Sequence, residues 1–352
     1  YCSSWLDTKK KSPHNSWYKR LSSKLAASVL ALAVFVVLGA CASDEGPSPT
    51  ATLPSASDDD LVLADLEISP QDSAIDEGDT RQFTAIGVLP DDTRFDVTSR
   101  ATWNSSDESI AAIDQRGLAR AIASGSADIT AVVDGITSDA LTLEVFVPFA
   151  TEDGVTLRGR RFGEGDAFVI LAHMFPAEQT SWYPFASELA GNGYAAFTFD
   201  FRGYGASDGE RVISDIDKDL EAALDLARSG GAKQVFLIGA SMGGTASLKV
   251  AAREPVAGVV TISAPVQFMS LDVEEDVSLV DEPKLFVATE DDRSAAINAS
   301  NLFESAQGTK EIKIFSGSAH GTDVFGSQVG TELEVLLLEF LSTYSMNGSV
   351  AE

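Results

Sequence analysis

Two pentapeptides in this sequence have the form Gly-x-Ser-x-Gly: Gly205-Ala206-Ser207-Asp208-Gly209 and Gly239-Ala240-Ser241-Met242-Gly243. A serine hydroxyl between two glycines is a candidate nucleophile for acyl transfer when a strand runs straight into a sharp turn and a helix follows, because small residues two positions away relieve crowding around the strained serine. In a chain with 28 glycines the pattern alone carries little, so context decides. Val235-Phe236-Leu237-Ile238 reads as a strand leading into Ser241, and Gly244 to Ala252 as a helix leading out, whose N-terminus favours developing negative charge. Ser207 instead follows Arg202-Gly203-Tyr204-Gly205 and opens a polar stretch, which predicts a loop. Ser241 is therefore the candidate nucleophile.

A serine hydroxyl attacks only when a positioned base takes its proton, and an acid must hold that base in the right tautomer. The sequence offers three histidines, His14, His173 and His320. His14 sits in a basic leader and His173 precedes the serine, whereas a turn of this kind is followed along the chain by its acid and then by its histidine. His320 remains, in Ser316-Gly317-Ser318-Ala319-His320-Gly321, a small-residue loop just after an expected strand. The acid is sought after the strand Lys284 to Ala288, in Thr289-Glu290-Asp291-Asp292, with Asp272 as an outlying alternative.

The elements that must position these groups have the rhythm strand, loop, helix, strand beyond Pro148, which predicts a mainly parallel sheet covered by helices. Strands are expected at 167–172, 195–199, 234–238, 256–262, 284–288 and 310–315. A helix capped by Ser214 is expected to bury Ile216, Leu220, Leu224 and Ala227, a spacing near 3.6.

With His173 after the first of these strands and Asp200-Phe201-Arg202-Gly203-Tyr204-Gly205-Ala206-Ser207 after the second, residues Thr151 to Tyr344 resemble the α/β-hydrolase superfamily. Within it the likeness is greatest to small dienelactone-hydrolase-like and serine-aminopeptidase-like esterases. The resemblance implies a Ser-His-Asp triad, with Asp292 in the position of the acid and Thr289 where the family has Gly, and with Asp291 next in line. It also implies oxyanion-hole amides at Met174 and Met242, each contributing a few kcal/mol to the transition state. The family commonly has Gly where Met174 stands. His173 is expected to be a structural hydrogen-bonding residue rather than a proton carrier. Dienelactone hydrolases proper use Cys as nucleophile, so Ser241 argues against that exact reaction. The short stretch between Ile262 and Pro283 leaves no room for a cap domain, and Trp182, Phe268 and Met269 are candidates to line an acyl pocket.

The N-terminal part carries no comparable chemistry. A basic stretch from Lys9 to Lys24 precedes the apolar run Leu25 to Leu38, too short to span a bilayer comfortably at about 20 residues. It reads as a signal peptide over 1–40. Its end, Leu38-Gly39-Ala40-Cys41, resembles the lipobox of bacterial lipoproteins, which implies lipidation of Cys41. The other cysteine, Cys2, lies in the leader, so the mature chain is expected to hold no internal disulfide. Residues 41–60, rich in Ser, Pro, Ala, Thr and Asp, are expected to be a disordered tether. Residues 61–147 show short alternating apolar runs between Asp, Gly and Ser turns, which predict a β-sandwich. Ile68-Ser69-Pro70, Gln82-Phe83-Thr84-Ala85, Asp96-Val97-Thr98-Ser99, Ala101-Thr102-Trp103-Asn104 and Gly117-Leu118-Ala119 resemble a bacterial Ig-like domain of group 2, with Trp103 as its core tryptophan.

The expected whole is multidomain: an all-β Ig-like sandwich, then an α/β-hydrolase domain over 148–346 without a cap, then a tail at 347–352. Residues 1–40 hold six Lys/Arg against one Asp, so the rest of a chain of net charge −28 carries −33. Nucleic acid is excluded as a partner on that ground. Neither metal nor cofactor is implied. The function expected is a membrane-anchored, extracytoplasmic serine hydrolase acting on small-molecule or surface-bound carboxylic esters. The alternatives are an exopeptidase or amidase of the same fold, or a non-catalytic adhesion module. The Ig-like domain is expected to give reach or to contact a cell surface or polysaccharide. The two domains are expected to be functionally separable, with a fragment from about Val147 retaining activity.

Overall fold

The structure, a computed structural model, describes residues 62–71 and 73–345. The leader, Cys41, the tether and the tail lie outside the described residues. Among the described residues no helix is long and apolar enough to cross a membrane.

Residues Leu63 to Val145 enclose a core of their own, built around Leu66, Phe83, Trp103, Ile129 and Leu143. The strand Gly125–Val133 shows how the sequence produces it. Ala127, Ile129, Ala131 and Val133 alternate inward with period two, while its polar residues turn outward. Trp103 is buried beside Phe83, with ring centroids 6.5 Å apart, in the core position the sequence predicts.

The C-terminal part is built on eight strands: β1 (Leu141–Ala150), β2 (Thr156–Phe162), β3 (Ala167–Ala172), β4 (Ala195–Phe199), β5 (Gln234–Ala240), β6 (Gly258–Ile262), β7 (Lys284–Thr289) and β8 (Lys310–Phe315). Their spatial order is β1-β2-β4-β3-β5-β6-β7-β8. The β1–β2 and β2–β4 pairs are antiparallel, and all pairs from β4–β3 to β7–β8 are parallel. Every residue of β3, β4, β6 and β7 is buried. Both faces of these strands are covered, which is why they read as continuous apolar runs. Helices α1 (Tyr183–Gly191) and α5 (Gly330–Tyr344) pack on one face through Leu189, Leu337 and Phe340. Helices α2 (Ile216–Ser229), α3 (Met242–Ala251) and α4 (Arg293–Ser305) cover the other through Leu224, Leu248 and Leu302.

The expected face of α2 is buried at Ile216, Leu220, Leu224 and Ala227. Its cap differs from expectation: the helix starts one residue later than a Ser214 cap requires, and the Ser214 hydroxyl turns to the Asp215 carboxylate at 3.3 Å instead of to a helix amide. Between β6 and β7 the chain forms a two-stranded hairpin, Gln267–Phe268 with Leu271–Asp272, and one 3-10 turn, Asp276–Leu279.

The boundary expected at 147/148 falls inside β1. Glu144 to Phe146 pair with Ala74 to Asp76 of the Ig-like part, and Val147 to Ala150 pair with β2. One strand thus closes the sandwich and forms the edge of the parallel sheet. The seam is also bridged by side chains. Arg158 of β2 pairs with Asp76, Arg160 reaches Glu144 at 3.5 Å and Ser126 at 3.3 Å, and the Arg161 amide donates to the Ser124 hydroxyl at 3.0 Å.

Candidate active site

Ser241 stands between β5 and α3 with φ +47 and ψ −115, a conformation sparsely populated by L-residues that costs on the order of 1–3 kcal/mol and persists only where surroundings enforce it. Two glycines make it sterically possible. A Cβ on Gly239 would lie 2.3 Å from the Gly243 carbonyl oxygen, and one on Gly243 would lie 2.3 Å from that of Ala172. The Ser241 amide donates to the Ile262 carbonyl at 2.7 Å, which ties the turn to the end of β6. Its side chain sits at the first turn of α3, a ten-residue helix whose dipole is positive at this end.

His320 follows β8 and Asp292 follows β7. The His320 Nδ1 meets the Asp292 Oδ2 at 2.5 Å, with the acid side chain mostly buried and the imidazole 41% exposed. The other carboxylate oxygen of Asp292 accepts weakly from the Ala295 amide at 3.4 Å, as the N-cap of α4. Of the expected acids, Asp292 is the one that meets the imidazole. Asp291 is held away, its amide donating to the Gly317 carbonyl at 2.9 Å. The histidine loop is pinned on both sides of His320. The Thr289 hydroxyl donates to the Ala319 carbonyl at 2.8 Å, and the Gly321 amide donates to the Ser263 hydroxyl at 3.1 Å. Sequence reasoning missed both pins. In the sequence Thr289 stands out only as a departure from Gly, whereas in the structure its hydroxyl ties down the loop. Ser263, itself at φ +57, gave no pattern to find.

Met174 follows β3, and Met242, next after Ser241, opens α3; β3 and β5 are neighbouring parallel strands. His173 is fully buried and uses both ring nitrogens. Nδ1 donates to the Met174 carbonyl at 3.0 Å, and Nε2 accepts from the Phe201 amide at 3.1 Å. That pattern requires the neutral imidazole, and burial pushes its pKa down in the same direction. His173 thus stakes the Met174 loop to the end of β4. Asp200 extends the anchorage, accepting from the Gln179 amide at 2.8 Å, the Gln179 side chain at 2.7 Å and the Ala206 amide at 3.1 Å.

Ser207, the serine of the other pentapeptide, is committed to structure. Its hydroxyl donates to the Asp200 carbonyl at 2.6 Å and accepts from the Arg158 amide at 2.9 Å. Trp182, a candidate for the acyl pocket, is instead fully buried in the core against Phe185 and Phe325. Phe268 and Met269 lie on the β6–β7 hairpin. Among the described residues no three His, Cys, Asp or Glu side chains converge as a metal site would need.

A mostly parallel sheet in this strand order, with a strained serine after β5 and a histidine–carboxylate pair from the loops after β7 and β8, defines a serine-hydrolase-like α/β-hydrolase domain. Residues 163–272 match the family model described as serine aminopeptidase, S33, and residues 63–145 match the bacterial Ig-like domain (group 2). Among curated relatives, Ice-binding protein 1 of Shewanella frigidimarina is 31% identical over 105 residues, covering 30% of this chain and 11% of its own. Epoxide hydrolase B of Mycobacterium tuberculosis is 38% identical over 104 residues, 28% of each chain. The chain thus spans well under half the length of these relatives. Among solved structures, an α/β-hydrolase from a Penicillium species superposes with a TM-score of 0.51 at 20% identity, covering 56% of this chain and 98% of that one.

Proposed function

We propose that the protein is an extracytoplasmic serine hydrolase of carboxylic esters, with Ser241 as nucleophile, His320 as general base and Asp292 as the acid that orients it. The observation that carries this reading is the 2.5 Å contact between His320 Nδ1 and Asp292 Oδ2, in the loops after β7 and β8 of the same parallel sheet whose β5 ends in a serine held at φ +47. Asp292 fixes the proton on Nδ1, leaving Nε2 free to take the Ser241 proton as the hydroxyl attacks an acyl carbonyl. The oxyanion is received by the Met174 and Met242 amides at the positive end of α3. Imidazolium then protonates the leaving alcohol, and water, activated by the same imidazole, frees the acyl group. Fluorophosphonate labelling tests the assignment. The native protein should label and Ser241→Ala should not; labelling that persists in the variant removes the nucleophile.

The name of the matching family model, serine aminopeptidase, supports amide hydrolysis as a second reading. Aminoacyl anilides turned over faster than p-nitrophenyl esters would establish it. On the lipobox-like run before Cys41, we infer that the chain is lipid-anchored at that cysteine to a bacterial membrane, with the Ig-like domain giving reach or contacting a cell surface or polysaccharide. Cys41→Ser should then abolish incorporation of radioactive fatty acid. Unchanged incorporation rules the anchor out.

A further inference from the structure

The sheet order sets β5 between β3 and β6, so the loops that follow β3 and β6 lie on either side of Ser241. Each of those loops carries an aromatic ring. Phe175, next after Met174, is 41% exposed, and Phe268 sits on the hairpin that follows β6. The two ring centroids are 5.9 Å apart, and the edge of Phe175 also meets Tyr204 at 6.5 Å and 89°. Beside Phe268, Met269 stands 62% exposed with φ +52. A methionine held at positive φ with its thioether in solvent is unfavourable twice over, in backbone strain and in exposed apolar area.

We propose that Phe175, Phe268 and Met269 form an acyl-binding shelf beside Ser241 that selects esters of straight, medium-length fatty acids. This rests on the ester-hydrolase reading above. The argument is one of placement and chemistry. The shelf is contributed by the residue next to a proposed oxyanion amide and by the hairpin that occupies the place where a cap would be. Its three side chains carry neither charge nor a strong hydrogen-bonding group, so they offer a cationic leaving group no counter-charge and a sugar no hydrogen bonds. The Phe175 edge and the Phe268 ring, tilted at 46°, offer a surface along which a polymethylene chain can lie, and the unbranched Met269 side chain adapts to its end. The histidine loop touches the loop that carries Phe175: a Cβ on Gly321 would lie 2.5 Å from the Met174 sulfur.

The test is a series of p-nitrophenyl esters from acetate through butyrate to hexanoate with the full chain. Each methylene laid on the shelf should raise kcat/KM by about two- to four-fold, the upper figure being that for full burial of a CH2 group. Phe175→Ala, Phe268→Ala and the solvent-exposed Met269→Gln should each flatten that slope, with circular dichroism confirming that they are folded. The slope, not the absolute rate, is the readout, so general damage to the site does not imitate the effect. A native series that is flat or falls with length overturns the shelf while leaving the esterase reading intact. A rising slope that none of the three substitutions changes overturns it as well, and loss of vesicle binding in those same variants would reassign the patch to a lipid surface. Absence of turnover for every ester removes both readings together.

Discussion

The Arg158 guanidinium in β2 and the Asp76 carboxylate in the Ig-like part form a two-point pair, Nε to Oδ1 at 2.7 Å and Nη2 to Oδ2 at 3.1 Å. About four-fifths of each side chain is shielded from water. The same guanidinium donates to the Ala206 carbonyl at 2.9 Å and the Asp208 carboxylate at 2.8 Å, beyond the seam. The pair therefore joins the Ig-like sandwich to the loop that Asp200 organises, while β1 joins the two by its backbone.

Shared backbone and shared charge predict one cooperative unfolding unit. Asp76→Ala leaves a largely shielded guanidinium without its two-point partner and should cost about 1–3 kcal/mol. Its denaturant transition should stay single, shifted to lower concentration. A fragment beginning at Val147 keeps the β1 residues that pair with β2 but loses the sandwich that orders them, and exposes the Arg158 and Arg160 side of the seam. It should be poorly soluble or lack a cooperative transition. A folded fragment with full-length kcat/KM would show instead that the domains are separable, as the placement of every candidate catalytic group beyond Val147 in the sequence suggests.

Replacing Asp292 by Asn removes the acceptor that holds the His320 proton on Nδ1, and the amide's NH2 can stabilise the wrong tautomer. The acylation rate should fall by about three to four orders of magnitude. Asp291→Asn should change it less than about three-fold, because what Asp291 supplies to the loop is a backbone amide that the substitution keeps. Burst-phase kinetics with a p-nitrophenyl ester separate the two. Reversed effects would move the acid to Asp291.

How much of this was legible beforehand follows from where the partners lie. Strands β3 to β7 are legible because burial on both faces demands long apolar runs, and β8, Lys310-Glu311-Ile312-Lys313-Ile314-Phe315 at the sheet edge, by its alternation. Ser241 announced itself because a strained serine needs its small neighbours within two residues. Strand β2 is not among the expected strands: Thr156-Leu157-Arg158-Gly159-Arg160-Arg161-Phe162 carries three arginines, and the Asp76 that pairs with Arg158 is 82 residues away. The extension of β1 past Phe146 is hidden with it, since Val147 to Ala150 pair with β2 across the turn at 151–155. Trp182 was indistinguishable from a pocket residue because its burial depends on Phe185 and Phe325, which only the packing of α1 brings together. The Asp292 carboxylate was narrowed to one run of acids by position, and its contact with His320 depends on a loop held by the Thr289 hydroxyl.

His173 gives the molecule an acid-sensitive point. Its native pKa lies below the ordinary imidazole value of about 6.5, because burial disfavours the cation and Nε2 must stay an acceptor. Below that pH the unfolded chain binds a proton at this site that the native state refuses, so stability falls as pH falls, by at most about 1.4 kcal/mol per pH unit from this one group. His173→Gln should be less stable at pH 7.5, yet lose less between pH 7 and 5.5 than the native protein. Urea midpoints at the two pH values decide it. Parallel losses in both proteins would place the acid sensitivity elsewhere.

Ser207 tests whether a Gly-x-Ser-x-Gly match without its strand-turn-helix frame has any part in chemistry. Its hydroxyl donates inward to the Asp200 carbonyl and accepts from the Arg158 amide, so both of its hydrogen-bonding roles are spent inside the fold. Ser207→Ala leaves a buried amide and a buried carbonyl each short of a partner, which should cost about 1–3 kcal/mol. Fluorophosphonate labelling of the folded fraction should nonetheless match the native protein. The carbonyl belongs to the residue before Phe201, whose amide holds His173 Nε2, so a secondary loosening of the Met174 loop is expected as a fall in kcat of less than about ten-fold. Ser207→Cys, which keeps a weak donor and acceptor, should recover part of the stability. Complete loss of labelling in a folded Ser207→Ala protein would mean that the hydroxyl takes part in the reaction itself and that the strain at Ser241 has some other use.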